Sequence, residues 1–240
     1  MSFIQPIVDS AIFSLRPDFR ALSLHAVGVR NAREDDTARE VLAAACRELG
    51  ALSWEQAHLE SWREAYRAFG AKPQRTPCSA EALRRRVERD GPLPSVNAVV
   101  DLYNALSLRF AVPIGGENAA AYQGRPRLVR ARGGEPFDTF RNGVAHVEPA
   151  DAGEVIWRDD QGVTCRRWNW RQCTRTRIEA DTTEMWFVIE RLEPMPIVML
   201  REAGEALAFG LRRLSPGVEI TQTLIDAPAE SSERSGRGIA

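Results

Sequence analysis

The residues 165–177, Cys165-Arg-Arg-Trp-Asn-Trp-Arg-Gln-Cys173-Thr-Arg-Thr-Arg177, pack two tryptophans, an asparagine and several arginines together without an acid. Tryptophan faces stack bases or cations, and guanidinium groups neutralise phosphate. A bland reading stands beside this one: Trp168 and Trp170 buried on one strand face, the arginines solvated or paired with Asp159 and Glu179. On a strand, Arg166 and Gln172 share the tryptophans' face, so the apolar stripe is short and flanked by polar groups. That interruption favours a site-forming segment. A second candidate lies upstream, where Asn97, Asp101, Asn104 and Leu108 fall on one stripe of a helix that leads into Pro113-Ile-Gly-Gly-Glu117. Buried polar side chains need partners, so such a stripe faces solvent or organises a loop or site. The paired glycines allow positive φ and close approach by a ligand, or simply a tight connection between helix and strand.

Several chemistries lack their signature. There is no GxSxG elbow, Walker loop or GxGxxG. His25, His58 and His146 are scattered and the four cysteines form no CxxC, so no metal and no cofactor is expected. Free thiols are expected of the cysteines. Cys173, beside Arg171 and Arg175, is a candidate for a lowered thiol pKa, because neighbouring cations favour thiolate.

The elements that must position these residues follow from periodicity. Strand-like runs occupy 7–13 and 21–29. A helix is expected over 34–49, and a second begins at Ser53, with Gln56 completing a capping box and Gly70 ending it. Ser79 is expected to cap a third through Arg89, whose Arg84, Arg85, Arg86 and Arg89 give a basic surface. Asn97 opens a fourth, to about Phe110, with Val99, Tyr103, Leu106 and Phe110 as its core stripe. Then come short strands at 127–131, 153–157, 163–168 and 186–190, a helix over 194–214 and a strand at 218–225. One α+β domain over 1–226 is the simplest organisation, with the N-terminal helices as a layer on it and a polar, non-periodic tail from 227 expected to be disordered.

Composition sets outer limits. The chain has 240 residues, 44% hydrophobic, and a net charge of -1, which argues against global attraction to nucleic acid. Of 32 basic residues only Lys72 is lysine. No apolar run approaches the ~20 residues of a membrane span, and no signal peptide is evident, so the expectation is a cytoplasmic protein without a membrane partner.

The pattern Asn97-x-x-Val-Asp101-x-x-Asn104, followed by Pro113-x-Gly115-Gly116-Glu117-Asn118, resembles the B3 portion of the phenylalanyl-tRNA synthetase β subunit. Arg130, Ala131, Gly134 and Glu135 are similar to that family's R-A-x-x-G-E element. The likeness is closer to free-standing B3/4 proteins, through Trp62-Arg-Glu-Ala-Tyr-Arg-Ala-Phe-Gly-Ala-Lys-Pro73, Ser79-Ala-Glu-Ala-Leu83 and Arg166-Arg-Trp-Asn-Trp-Arg-Gln172, in order over residues 21–191. The resemblance implies the B3/4 α+β fold, mixed or antiparallel sheets flanked by helices, with a cleft that in the synthetase hydrolyses mischarged tyrosyl-tRNA. Three departures stand out: Gly115 replaces a pocket histidine, Tyr103 replaces a threonine, and Trp168–Gln172 replaces a glycine-rich pocket loop. Tyrosine specificity is therefore not carried over.

Ester hydrolysis needs a positioned water and stabilisation of a developing oxyanion, with no protein nucleophile required. On this expectation Asn104 and the amides of Gly115 and Gly116 position ester or water, and Arg171 binds carbonyl or phosphate. Trp168 and Trp170 hold the amino-acid side chain or terminal adenine, and Glu117 meets the α-ammonium. Asn97, Asp101, Asn169 and Gln172 complete the binding set. The expected partner is aminoacyl-tRNA. The alternatives are a non-catalytic module binding an amino acid, nucleotide or small metabolite in the same cleft, and an interaction protein with a vestigial cleft. Sequence leaves the oligomeric state open.

Overall fold

The organising element is a strand with no polar edge to spare. β10 (Glu184–Arg191) is buried along almost its whole length. It pairs antiparallel with β2 (Arg20–Val27) on one side and β3 (Ile114–Asn118) on the other. With β11 (Glu219–Ile225) this makes a four-stranded sheet in the order β11-β2-β10-β3. The structure, a computed structural model, describes residues 5–50 and 52–227.

Alternation along these strands sorts two cores. Leu22, Leu24, Ala26, Met185, Phe187 and Ile189 face α5 (Ala98–Phe110) and α6 (Ile197–Leu214). Ala21, Trp186 and Val188 face the other way, packing with Trp62 and Tyr66 of α3 (Glu55–Ala68) and with Leu128, Val155 and Trp157. The last three belong to a five-stranded sheet of β1 (Ile7–Val8), β4 (Arg127–Arg130), β7 (Val155–Arg158), β8 (Val163–Arg166) and β9 (Arg171–Gln172), in the order β1-β4-β7-β8-β9. A hairpin of β5 (Pro136–Arg141) and β6 (Val144–Pro149) stands apart. The expected α+β architecture is the one observed, with α5 and α6 layered on one face of the four-stranded sheet and the second sheet, together with α3, on the other.

Several local expectations are revised. The run at 7–13 splits, because the Asp9 side chain accepts from Ala11 N at 2.8 Å and caps α1 (Ser10–Leu15). The capping box at Ser53 does not form: Trp54 holds the N-cap position of α3, and Glu55 is instead fixed by a buried ion pair with Arg84 at 2.6 Å. Cys78, without a side-chain bond, precedes α4 (Ser79–Asp90), so Ser79 is its first residue rather than its cap. Arg84 is not on the basic surface at all. It is buried, and also donates to the carbonyl oxygen of Leu108 at 2.9 Å. Asn97 does cap α5, accepting from Val100 N at 3.0 Å. The tail expected to be disordered falls, from residue 228 on, outside the described residues, among which no helix is long and apolar enough to cross a membrane.

Candidate functional site

Between the two sheets lies a cavity of about 250 Å³. β3 and β10 supply one wall, Trp157 and Cys165 the opposite one, and α4 and α5 close it with Ser79, Leu83, Tyr103 and Asn104. The fourth side is the segment 168–172.

That segment is not the strand expected. β8 ends at Arg166, and Arg167 and Trp168 both take left-handed backbone angles, φ 48° and 66°. The chain then turns back, so that Cys165 pairs with Gln172 and Arg166 with Arg171. Two successive non-glycine residues in this region cost roughly 1–3 kcal/mol each and persist only where surrounding contacts hold them. Here Trp168 N donates to Val155 O at 2.6 Å, and Arg167 N to Glu154 Oε1 at 2.7 Å. The turn separates the two tryptophans. Trp168 is fully buried, edge-on to Trp62 and Phe19 with ring centroids 5.2 Å away in each case. Trp170 is only partly buried, and the guanidinium carbons of Arg167 and Arg171 lie 4.5 and 4.7 Å from its ring centre. Arg171 is steadied by Glu148, 2.5 Å from its Nη2, and by the Phe137 ring. The arginine next to it in the hairpin, Arg166, is buried and bound to Glu154 at 2.6 Å.

The glycine pair also differs from expectation. Neither Gly115 nor Gly116 has positive φ; both lie in extended β3. Glu190 N donates to Pro113 O, so antiparallel alternation turns Gly115 and Glu117 toward β10 and Gly116 away from it. The outward Gly116 carbonyl accepts from Gln172 Nε2 at 2.9 Å, and its N–H points to the same side. Gly116 is required by close approach rather than by backbone angle: a Cβ there would lie 2.9 Å from the Phe187 ring and 3.0 Å from Tyr103. At Gly115 the nearest atom would be Val188 Cγ1 at an ordinary 3.5 Å.

Two carboxyl groups stand in the walls. Glu117 is buried beneath Tyr122, whose hydroxyl donates to it, and burial raises its pKa to about 8 against the opposing pull of Thr176, Gln172 and Thr164. Glu190 is raised by burial to about 7, although the indole N–H groups of Trp157 and Trp168 each donate to Oε1 at 3.0 Å and Asn169 Nδ2 donates to Oε2 at 2.9 Å. Asn169 in turn accepts from the Tyr66 hydroxyl at 2.9 Å. Asn104 lines the cavity half-buried, and among the described residues its side chain has no hydrogen-bond partner.

Of the expected residues, Asn104, Gly115, Gly116, Glu117, Trp168, Asn169, Trp170, Arg171 and Gln172 come together around the cavity. Asn97 and Asp101 do not line it. Asn97 reaches Ile178 O, and Asp101 accepts from Val96 N at 2.8 Å and from Ser95 Oγ, fixing the entry to α5. The lowered Cys173 thiol is overturned: burial pushes it up to about 11, and Arg171 and Arg175 are engaged by Glu148 and Asp159.

A family model described as the B3/4 domain matches residues 61–206, more than half of the chain and the whole span from which the cavity is built. The chain belongs to the B3/4 domain family. The B3/4 protein is similar in fold to an N-terminal fragment of the phenylalanyl-tRNA synthetase β subunit from Pyrococcus horikoshii, with a TM-score of 0.51 and 10% identity over 93% of this chain and 54% of that one. It thus spans about half the length of that fragment. No curated protein matches it in sequence.

Sequence reasoning missed Glu190 in the B3/4 protein. The signal was present: in Met185-Trp-Phe-Val-Ile-Glu190, period two puts the carboxylate on the buried face of Trp186 and Val188, where it must find donors.

Proposed function

We propose that this B3/4 protein is a trans-editing deacylase that hydrolyses the ester of mischarged aminoacyl-tRNA. The observation that carries the reading is the cavity itself, which segments far apart in sequence line with the Gly116 backbone, the unpartnered amide of Asn104 and Arg171. In the reaction, water adds to the ester carbonyl and the bond to the ribose oxygen breaks, the water's proton ending on that oxygen. Donors preset where the oxyanion develops are the largest catalytic contribution available without a nucleophile. Gly116 N–H and Arg171 are assigned that role, and Asn104 holds the water. Trp170, with the two guanidinium carbons 4.5 and 4.7 Å from its ring centre, is assigned to a side chain or the terminal adenine. Trp168 and Asn169 build the wall behind it, together with Glu190, and Gln172 locks the loop onto β3.

Glu117 meets the α-ammonium. A carboxyl held near pKa 8 by burial gives up its proton when a cation arrives, because the pair replaces the lost hydration. The thiols are no competitors: burial raises Cys165 and Cys173 well out of the reactive range.

The test is deacylation across a panel of charged tRNAs. Arg171→Ala is expected to lower kcat/KM on the preferred substrate by about 10²-fold or more, in line with loss of one oxyanion donor; unchanged rates remove Arg171 from the mechanism. The cavity's volume, below the usual ~300–1,000 Å³ of ligand pockets, favours one second reading: capture of a free amino acid without chemistry. Thermal-shift measurements with free amino acids separate the two, since a binder is stabilised by them while the tRNA panel stays intact.

A further inference from the structure

Beside the cavity lies a larger open cleft of about 450 Å³, lined by the loop that follows α3 and by the loop before β7, with Arg167 between them. The two concavities are lined by neighbouring stretches of the chain. The loop carrying Lys72, Arg75 and Thr76 runs within three residues into Ser79 of the cavity. On the other side Arg167, in the cleft, adjoins Trp168–Gln172 of the cavity, and its guanidinium lies over the same Trp170 ring that Arg171 touches.

The charges in the cleft are unequal in availability. Glu154 is fully engaged: Arg166 Nε and Arg167 N donate to Oε1, and Arg166 Nη2 and Asp151 N donate to Oε2. Asp151 also receives Arg166, at 3.2 Å, and Arg167 at 3.7 Å. Arg166 and Arg167 thus pair with both acids of the cleft, of which Glu154 is buried and Asp151 largely exposed. Lys72, the chain's single lysine, and Arg75 are exposed on the rim, and neither has a carboxylate partner among the described residues. Their loop is tightly wound, with Arg75 N and Thr76 N both donating to Lys72 O at 2.9 and 3.0 Å, so the two cations are presented from a fixed backbone.

We infer that this cleft is the track for the phosphodiester backbone of a single-stranded RNA 3′ end, with Lys72 and Arg75 on successive phosphates and Arg167 at the junction where the terminal nucleotide turns into the cavity. The inference rests on the deacylase reading for what lies in the cavity, but the cleft's charge is tested separately. A chain of net charge -1 has no global field to hold RNA, so local contacts must do so.

The experiment is a fluorescence-anisotropy titration of the full chain with 5′-labelled ACCA RNA at several salt concentrations. The wild type is expected to bind with an affinity that falls with salt. Lys72→Ala/Arg75→Ala is expected to weaken binding about tenfold at low salt and to reduce the slope of log K against log salt by about 1.4, at ~0.7 per phosphate contact on a single strand. Melting temperatures of the double variant confirm folding, since both side chains are exposed. Arg86→Ala/Arg89→Ala, on the outer surface of α4, is the comparison. Failure of the wild type to bind, an unchanged affinity in the cleft variant, or an equal loss in the α4 variant overturns the assignment. If RNA binding is lost as expected while no charged tRNA is hydrolysed, the cleft stands and the deacylase reading falls. If hydrolysis is found and the cleft variant binds normally, only the cleft falls.

Discussion

A carboxyl group on the buried face of a central strand has two ways to survive: gather donors, or keep its proton. Glu190 does both, with three N–H donors and a pKa raised to about 7 from the 4.5 of a free side chain. Between those values the folded chain holds more protons at this site than the unfolded one. Its contribution to stability is therefore complete below pH 4.5 and declines as pH rises toward 7. Glu190→Gln carries no charge at any pH. Its melting temperature is expected to match wild type near pH 4.5, then to rise relative to it up to pH 7, and to hold a constant offset above. A gap that stays flat from pH 4.5 to 8 would show that Glu190 is ionised throughout. Glu117, raised to about 8, acts in the same direction in both proteins and cancels. His58 acts in the opposite direction: burial lowers it to about 4 while Ala111 O and Trp62 Nε1 hold its ring, so stability falls as pH drops from 6.5 toward 4.

At the scale of elements, β3 is the clearest case of packing overriding propensity. Glycine pairs are poor strand formers, yet Ile114–Asn118 completes the sheet because β10 offers it an edge and the Phe187 and Tyr103 rings leave no room for a side chain at 116. Gly116→Ala is expected to destabilise the fold by about 1–3 kcal/mol through overpacking, measured by urea denaturation. Gly115→Ala meets only Val188 at 3.5 Å and is expected to keep stability within about 0.5 kcal/mol while narrowing the cavity and lowering substrate affinity. Equal losses of stability would refute the distinction. The helices with regular apolar spacing were legible, as was the start of α5, because Asn97 caps it with its own side chain. The β5–β6 hairpin has a local marker in Asn142-Gly143, whose φ of 52° and 78° suit a tight two-residue turn. The β8–β9 turn has none. It holds the non-glycine residues Arg167 and Trp168 in left-handed geometry, a strained choice that only tertiary contacts sustain.

The whole molecule depends on joints that no single element announces. Arg84 ties α4 to Glu55 of α3 at 2.6 Å and to the end of α5 through Leu108 O, all in the interior. Removing it leaves a buried carboxylate without a counter-charge, so Arg84→Ala is expected to cost about 3–5 kcal/mol, whereas Arg86→Ala on the exposed face of the same helix should fall within about 0.5 kcal/mol. A chemical-denaturation comparison decides it; similar midpoints would place Arg84 at the surface. The fold class and most element positions followed from sequence alone, because local periodicity and short motifs act over a few residues and leave a trace in order; nine of the residues singled out in sequence line the cavity. Tertiary structure alone decided which arginines are buried, that Trp168 faces the core while Trp170 faces the arginines, that Gly116 rather than Gly115 points its amide outward, and that Glu190 stands behind the loop. Each of these depends on burial and on partners distant in the chain, and both are set by how the two sheets close on one another, which no stretch of sequence contains.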